Sequence, residues 1–230
     1  MIYLLLSIFF NTSLLVIFKY FEKFKIENLP AIVVNYMVAA CLGFINNKSE
    51  ISNYEILHQH WMLIAVMLGL LFISVFNLIA LTAQRVSVSA ASVSSKMSVV
   101  IPVIAAFLFY HDSIYLMKIT GIIFALLAVY LTSKQQKKNS NQTIHSWLLL
   151  LPATVFIGSG IIDALVNYAQ VNYVSENDTD IFISSCFSVA SLIGLTIVIY
   201  QCIVYKKIPR LKSIVGGIIL GIPNYCSIFL

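Results

Sequence analysis

The sequence predicts an all-α integral membrane protein because of its hydrophobicity, its low charge and the length of its apolar segments. Of 230 residues, 60% are hydrophobic and 10% are charged, with a mean hydropathy of +0.94, whereas soluble domains carry about 25% charged residues. Apolar runs of about 20 residues with few charges are typical of transmembrane helices. Only helices or closed barrels span lipid, and runs this continuous lack the alternation of a barrel.

Eight transmembrane helices are predicted in order along the chain, each as an apolar run bounded by short polar links. They cover Ile2–Phe18, Leu29–Asn46, His60–Ala83, Ser87–Tyr110, Ile114–Ser133, Ser146–Gln170, Ile181–Val204 and Ile214–Leu230. The first run has no basic segment before it and no cleavage pattern after it, so we expect a first span, not a signal peptide. The four cysteines lie inside these runs, and we interpret them as small apolar residues.

The later part of the chain repeats features of the earlier part. The segments VAACLGF and VASLIGL align, as do the segments around two further pairs of residues. The matching pairs are Gly43 with Gly194, Gly69 with Gly221, and Tyr20 with Tyr168, at offsets of 194 − 43 = 151, 221 − 69 = 152 and 168 − 20 = 148. Because the first repeat holds five spans, an odd number, the second must enter the membrane in the opposite direction, as in secondary transporters.

The repeat predicts the domain organisation. The first five-helix repeat would occupy residues 1–133, a basic polar linker 134–145, and a partial second repeat of three helices 146–230. Two further helices would complete a ten-helix bundle of two inverted five-helix repeats, at roughly 285 residues. We therefore expect the chain to be truncated within the third helix of the second repeat.

Basic residues predict the orientation. The links after odd-numbered spans hold eleven of them: Lys19, Lys23, Lys25, Arg85, Lys134, Lys137, Lys138, Lys206, Lys207, Arg210 and Lys212. The opposite side holds Lys48 and Lys118. The positive-inside rule therefore places the odd-numbered links in the cytoplasm and the N-terminus outside. No basic patch interleaved with exposed aromatic residues appears, so nucleic acid is not an expected partner.

The segment Val86–Ser133 resembles spans four and five of EamA-like carriers in the drug/metabolite transporter superfamily. The shared features are a run of small residues, a proline in mid-helix, an acidic residue at the helix end and a glycine in the next helix: Ser87–Ser98, Pro102, Asp112 and Gly121. The resemblance implies ten spans in two inverted halves around a central cavity, and export or exchange of small metabolites.

This sequence departs from the family pattern at two positions. Asp112 follows His111 where the family usually has a glutamate after a glycine, and Asn35 stands where span two often has an arginine. The family's commoner topology also has its N-terminus inside, opposite to the prediction from the basic residues. The orientation therefore has two alternatives.

Lys96 is the first candidate for a transport site. A charge in the middle of a span costs about 2.5–3.5 kcal/mol, so Lys96 is expected to face the bundle interior or a wet cavity. It would bind a substrate anion or a coupling ion there, with Ser92 one turn away on the same face. The alternative is a structural lysine that pairs with a carboxylate or snorkels to an interface.

Two features of the same span have separate explanations. A stripe of small residues favours close helix packing: it contains Ser87, Ala91, Ser94 or Ser95, and Ser98. Pro102 removes the helical donor of the Ser98 carbonyl and predicts a kink that could serve in gating.

Asp163, in span six, is the second strongly intramembrane charge. We expect Lys96 and Asp163 to line the central cavity, where they would bind substrate or alternate in protonation; the alternative is a fixed ion pair that holds the halves together.

Gly158 and Gly160 are predicted to break span six, and Gly216 and Gly217 are predicted to break span eight, as hinge or close-packing positions. The secondary cavity candidates are Asn11, Asn77, Asn167 and Asn224, with interhelical hydrogen bonding as the alternative for each.

These features predict a secondary transporter that moves small organic metabolites or drugs by alternating access in a bacterial plasma membrane. Its expected partners are a small-molecule substrate, with proton coupling as an option, and the lipid bilayer; a homodimer is an open option. No cofactor or metal site is predicted. An intramembrane lipid-modifying enzyme is an alternative, but its expected motifs are absent from the sequence. A multi-span receptor is a third option, which an inverted repeat disfavours.

Overall fold

The computed structural model describes residues 2–46, 55–110, 116–139, 148 and 150–229, and within these ranges the chain is helical without β-strands. The helices are α1 (Ile2–Lys23), α2 (Asn28–Ile45), α3 (Met62–Arg85), α4 (Val88–Met97), α5 (Val100–Tyr110), α6 (Leu116–Asn139), α7 (Leu151–Asn172), α8 (Thr179–Tyr205) and α9 (Leu211–Phe229). Short 3₁₀ segments precede α3 and α8 at Glu55–His58 and Glu176–Asp178. The predicted all-α membrane fold is confirmed.

Seven of the eight predicted spans correspond to one helix each, with ends that differ by up to six residues, and the fourth corresponds to α4 and α5 together. Seven segments of the described chain are long and apolar enough to cross a membrane, and α6 adds the shorter apolar stretch Ile119–Leu131. The first part of the predicted linker 134–145 is helical, because α6 continues to Asn139 through residues that favour helix. The rest of that linker lies outside the described residues, as do His111 and Asp112.

The helices form two compact units. The first unit contains Met1–Asn77 and Tyr168–Leu230, and the second contains Leu78–Asn167. The boundaries fall within α3 and α7, so each unit draws helices from both predicted repeats. The repeat boundary in the sequence and the division into compact units are therefore different features of this chain.

The first unit is built around α2. This helix packs against α8 and α9, and α1 packs against α9. Tyr36 of α2 is buried and donates a hydrogen bond from its hydroxyl to the Phe72 carbonyl at 3.0 Å. Its ring stacks on that of Phe187, with centroids 5.4 Å apart. Buried aromatic side chains on facing helices thus form the core of this unit.

Glycines let the helices of the first unit approach closely. An added Cβ atom would lie 2.5 Å from the Ala31 carbonyl oxygen at Gly217, 2.7 Å from Val38 Cβ at Gly221 and 2.9 Å from Val189 Cβ at Gly69. The predicted break at Gly216 and Gly217 is wrong, because α9 is continuous there. Of the two roles considered for these glycines, close packing is the one observed.

The second unit contains α4, which begins with a side-chain cap. The hydroxyl of Ser87 accepts a hydrogen bond from the Ala90 N–H at 3.0 Å, which satisfies one of the free donors of the first turn. Farther along, Ala91, Ser94 and Ser98 are buried, and α4 packs against α6. The predicted packing stripe is confirmed at these three positions, whereas Ser87 caps the helix.

Candidate functional site

The candidate site of the second unit lies where predicted span four is interrupted. α4 ends at Met97 and α5 begins at Val100, which leaves a turn at Ser98–Val99. The Ile101 N–H donates to the Ser98 carbonyl at 2.9 Å. Pro102 cannot supply the helical donor of this carbonyl, as predicted from the sequence, and the N–H one residue earlier takes its place in a tighter turn. Pro102 itself lies in the first turn of α5, where a missing N–H is tolerated.

Asp163 is carried by α7, which runs without interruption through Gly158 and Gly160. The predicted break in span six is therefore wrong. Lipid offers no partners for freed backbone groups, so a helix keeps its hydrogen bonds through such glycines. A Cβ atom at Gly160 would lie 2.6 Å from Ile101 Cβ. The missing side chain thus lets α7 approach α5 one turn before Asp163.

Ser98 joins the interrupted span to Asp163. Its buried hydroxyl oxygen lies 3.2 Å from Asp163 Oδ2 and 2.7 Å from the Ser95 carbonyl oxygen. A serine hydroxyl carries one hydrogen, so it donates to one of these acceptors at a time. The position of that hydrogen depends on whether Asp163 carries a proton.

Lys96 completes this group. Lys96 and Asp163, both within the described part of the chain, attract each other electrostatically without forming a direct ion pair. Both residues are exposed. Although they belong to opposite predicted repeats, they lie in the same compact unit. Whether these charges line a cavity or hold the halves together stays a prediction.

The sequence singled out Lys96 and Asp163 as candidates but did not predict the contact between Ser98 and Asp163. It assigned Ser98 to helix packing, because 65 residues separate it from Asp163 and a contact at that distance leaves no local pattern. Ser92, also a predicted site residue, is partly exposed on α4, and its carbonyl accepts from the Ser95 hydroxyl at 3.3 Å.

Of the secondary cavity candidates, Asn11, Asn77 and Asn224 belong to the first unit and Asn167 belongs to the second. The amide of Asn77 donates to the Ile73 carbonyl of its own helix at 3.2 Å. Asn224 is buried, and its Nδ2 has no hydrogen-bond partner among the described residues. The same is true of both side-chain amide atoms of Asn35, which is fully buried.

Comparison with known proteins gives two matches. A sequence profile of the EamA-like transporter family matches residues 1–134. A relative described as an uncharacterized protein of Haemophilus influenzae is 27% identical over 230 residues, which cover 98% of this chain and 76% of that protein. No solved structure matches the chain.

Proposed function

The chain belongs to the EamA-like transporter family, and we propose that it is a secondary transporter that moves small organic metabolites or drugs across the membrane by alternating access. Membership of a transporter family favours this function over an intramembrane enzyme or a receptor. The relative from a bacterium supports the plasma membrane of a bacterium as the location.

The observation that carries the proposal is the group formed by Lys96, Ser98 and Asp163. Both charged residues lie within membrane-spanning segments and are nevertheless exposed. Exposure to lipid would cost about 2.5–3.5 kcal/mol for each charge. We therefore place them on a water-filled cavity, where a polar substrate or a proton can reach them.

The single hydrogen of Ser98 suggests how Asp163 could act. When Asp163 is ionised, its carboxylate accepts the hydrogen bond from Ser98 and is attracted by Lys96. When Asp163 is protonated, it can donate to the Ser98 oxygen, and the Ser98 hydrogen then turns to the Ser95 carbonyl 2.7 Å away. Both protonation states are satisfied with little movement, as a group that alternates in protonation requires.

This switch acts at a place where the backbone is interrupted. The Ser98 carbonyl is held by the Ile101 N–H across the turn between α4 and α5. A change in the hydrogen bond of the Ser98 side chain therefore directly affects the geometry of that turn. We infer that the protonation of Asp163 is coupled to a change in angle between α4 and α5, which would contribute to gating.

The packing of the first unit supports the inverted repeat on which alternating access depends. The corresponding residues are Gly69 and Gly221, Val189 and Val38, and Tyr36 and Phe187, at offsets of 221 − 69 = 152, 189 − 38 = 151 and 187 − 36 = 151. The contact between Gly69 and Val189 therefore corresponds to the contact between Gly221 and Val38. The stacked rings of Tyr36 and Phe187 correspond to each other. When two repeats are related by a two-fold axis, a contact between one residue of each repeat is expected to have a symmetric counterpart.

Metabolite export tests the proposal. Cells that express the wild-type protein, Asp163→Asn or Lys96→Met would be compared by mass spectrometry of the medium, with Glu176→Gln as a control that removes a carboxylate outside this group. We expect export of the responsive compounds to fall about 100-fold in Asp163→Asn and less in Lys96→Met. The control should match the wild type. Wild-type export by both variants, at equal expression, would refute the proposed site.

A further inference from the structure

Two loops of the first unit that are far apart in the sequence meet at one end of its helices. The first connects α1 to α2 and the second connects α8 to α9. The backbone N–H of Glu27 donates to the hydroxyl of Ser213 at 3.3 Å across a separation of 186 residues. Lys207 Nζ lies 3.5 Å from Glu27 Oε2. The two loops therefore form one surface, which places the links after the first and seventh predicted spans together.

This surface is strongly basic. Its exposed cations are Lys19, Lys23, Lys25, Lys206, Lys207, Arg210 and Lys212. The two carboxylates of the surface, Glu22 and Glu27, pair with Lys19 and Lys207. Within the described part of the chain, the other five cations have no carboxylate partner: Lys23, Lys25, Lys206, Arg210 and Lys212. We call these five residues the basic end cluster.

Exposed apolar side chains alternate with the cluster. Ile208 is 78% exposed and Leu211 is 74% exposed, although each has a cation next to it in the chain. Tyr205 and Phe24 are also exposed. Phe24 stacks on Tyr20, with ring centroids 6.2 Å apart. Cations with apolar and aromatic neighbours at the ends of transmembrane helices are typical of the headgroup region of a bilayer.

We propose that the basic end cluster binds the phosphate headgroup of an anionic phospholipid. The cations would contact the phosphate oxygens, and Ile208 and Leu211 would enter the region where the acyl chains begin. The five cations, which have no carboxylate partner among the described residues, are complementary to an anion, and the ends of α1, α8 and α9 bring them to the depth of the headgroups. The lipid would bridge loops from the two ends of the chain and hold α1 against α9.

A soluble phosphate compound is the alternative ligand, because it carries the same phosphate group as the lipid. It would satisfy the cations but would leave the exposed Ile208 and Leu211 without a function. A lipid satisfies both sets of side chains at once, which is why we choose it as the ligand. This proposal does not depend on the identity of the transported substrate.

Two triple variants test the site. The first is Lys206→Gln, Arg210→Gln and Lys212→Gln. The second, Lys134→Gln, Lys137→Gln and Lys138→Gln, removes the same charge from links predicted to lie on the same side of the membrane. Purified protein would be titrated with phosphatidylglycerol in phosphatidylcholine nanodiscs and bound lipid counted by native mass spectrometry. We expect at least about a tenfold loss of affinity in the first variant and less than a twofold loss in the second.

Three outcomes would overturn the proposal. An equal loss in both triple variants would indicate general attraction of basic protein to anionic membrane. Unchanged binding in the first variant would exclude the cluster. Displacement of the lipid by glycerol 3-phosphate at the same phosphate concentration would indicate a soluble ligand. The melting temperature of each variant serves as the check that the protein remains folded. The variant Ile208→Ser, which keeps every charge, should also weaken lipid binding.

Discussion

Both compact units of the molecule use small residues for close packing, but they differ in where their polar groups lie. In the first unit, glycines bring α2, α3, α8 and α9 together around buried aromatic rings. In the second unit, a span is interrupted at Ser98–Val99, and exposed charged residues lie beside the interruption. We propose that the second unit supplies the polar groups for transport, while close packing stabilises the first.

The largest effect on stability is expected from Gly217→Ala in the first unit. The new Cβ would lie 2.5 Å from the Ala31 carbonyl oxygen and 2.6 Å from Val34 Cβ, so α9 must move away from α2. We expect the free energy of unfolding to fall by about 2–3 kcal/mol, as measured by denaturation in a fixed detergent.

Gly121→Ala is the matched control, because none of the described residues that could clash lies within 4 Å of a Cβ atom there. It should leave the free energy of unfolding unchanged or raise it by up to about 1 kcal/mol, because alanine favours a helix more than glycine does. Equal effects of the two substitutions would contradict the close packing of α2 and α9.

Gly160→Ala in the second unit should affect transport more than stability. The new Cβ would meet Ile101 Cβ at 2.6 Å and push α7 from α5, which would separate Asp163 from Ser98. We expect about a tenfold loss of transport, measured by the same export assay. Loss of folding without a selective loss of transport would show that this contact is only structural, and the comparison between the units would fail.

Asn35→Leu should stabilise the first unit. The buried amide of Asn35 has no partner among the described residues, so its replacement by an apolar side chain of similar size removes a desolvation cost of about 1 kcal/mol. Thermal unfolding measures the gain. Asn77→Leu, which removes an amide that does donate a hydrogen bond, should give none. A lower melting temperature for Asn35→Leu would mean that the amide is bonded in the native protein.

Ser87→Ala should give the smallest of these effects. It removes the cap of α4 and should lower the free energy of unfolding by about 0.5–1 kcal/mol. Ser89→Ala, an exposed position in the first turn of the same helix, should be neutral. If both variants behave alike, the start of α4 is not determined by the Ser87 hydroxyl.

The sequence predicted the helices because burial in lipid imposes long apolar runs, which are visible without any tertiary information. It also singled out Lys96 and Asp163 as candidates, because charges within apolar spans are rare and costly, and their role in transport stays a prediction. It failed at Gly160 and Gly217, where glycine was expected to break a helix. In both places the helix continues and a neighbouring side chain or carbonyl occupies the space.

Contacts between distant segments could also not be predicted from the sequence. The hydrogen bond between Ser98 and Asp163 and the surface formed by the loops around Glu27 and Lys207 both join residues far apart in the chain. The lack of a partner for the Asn35 amide among the described residues depends on the helices around it, which the sequence does not reveal. Composition predicts which residues are unusual, whereas their partners depend on helix packing.

Infrared difference spectroscopy of the reconstituted protein tests the central claim, that Asp163 exchanges a proton while bonded to Ser98. A step in pH should produce a protonated carboxyl band that is lost in Asp163→Asn and shifted in Ser98→Ala, where Asp163 loses its hydrogen-bonding neighbour. A band that persists in Asp163→Asn, or that is identical in the wild type and Ser98→Ala, would contradict the account.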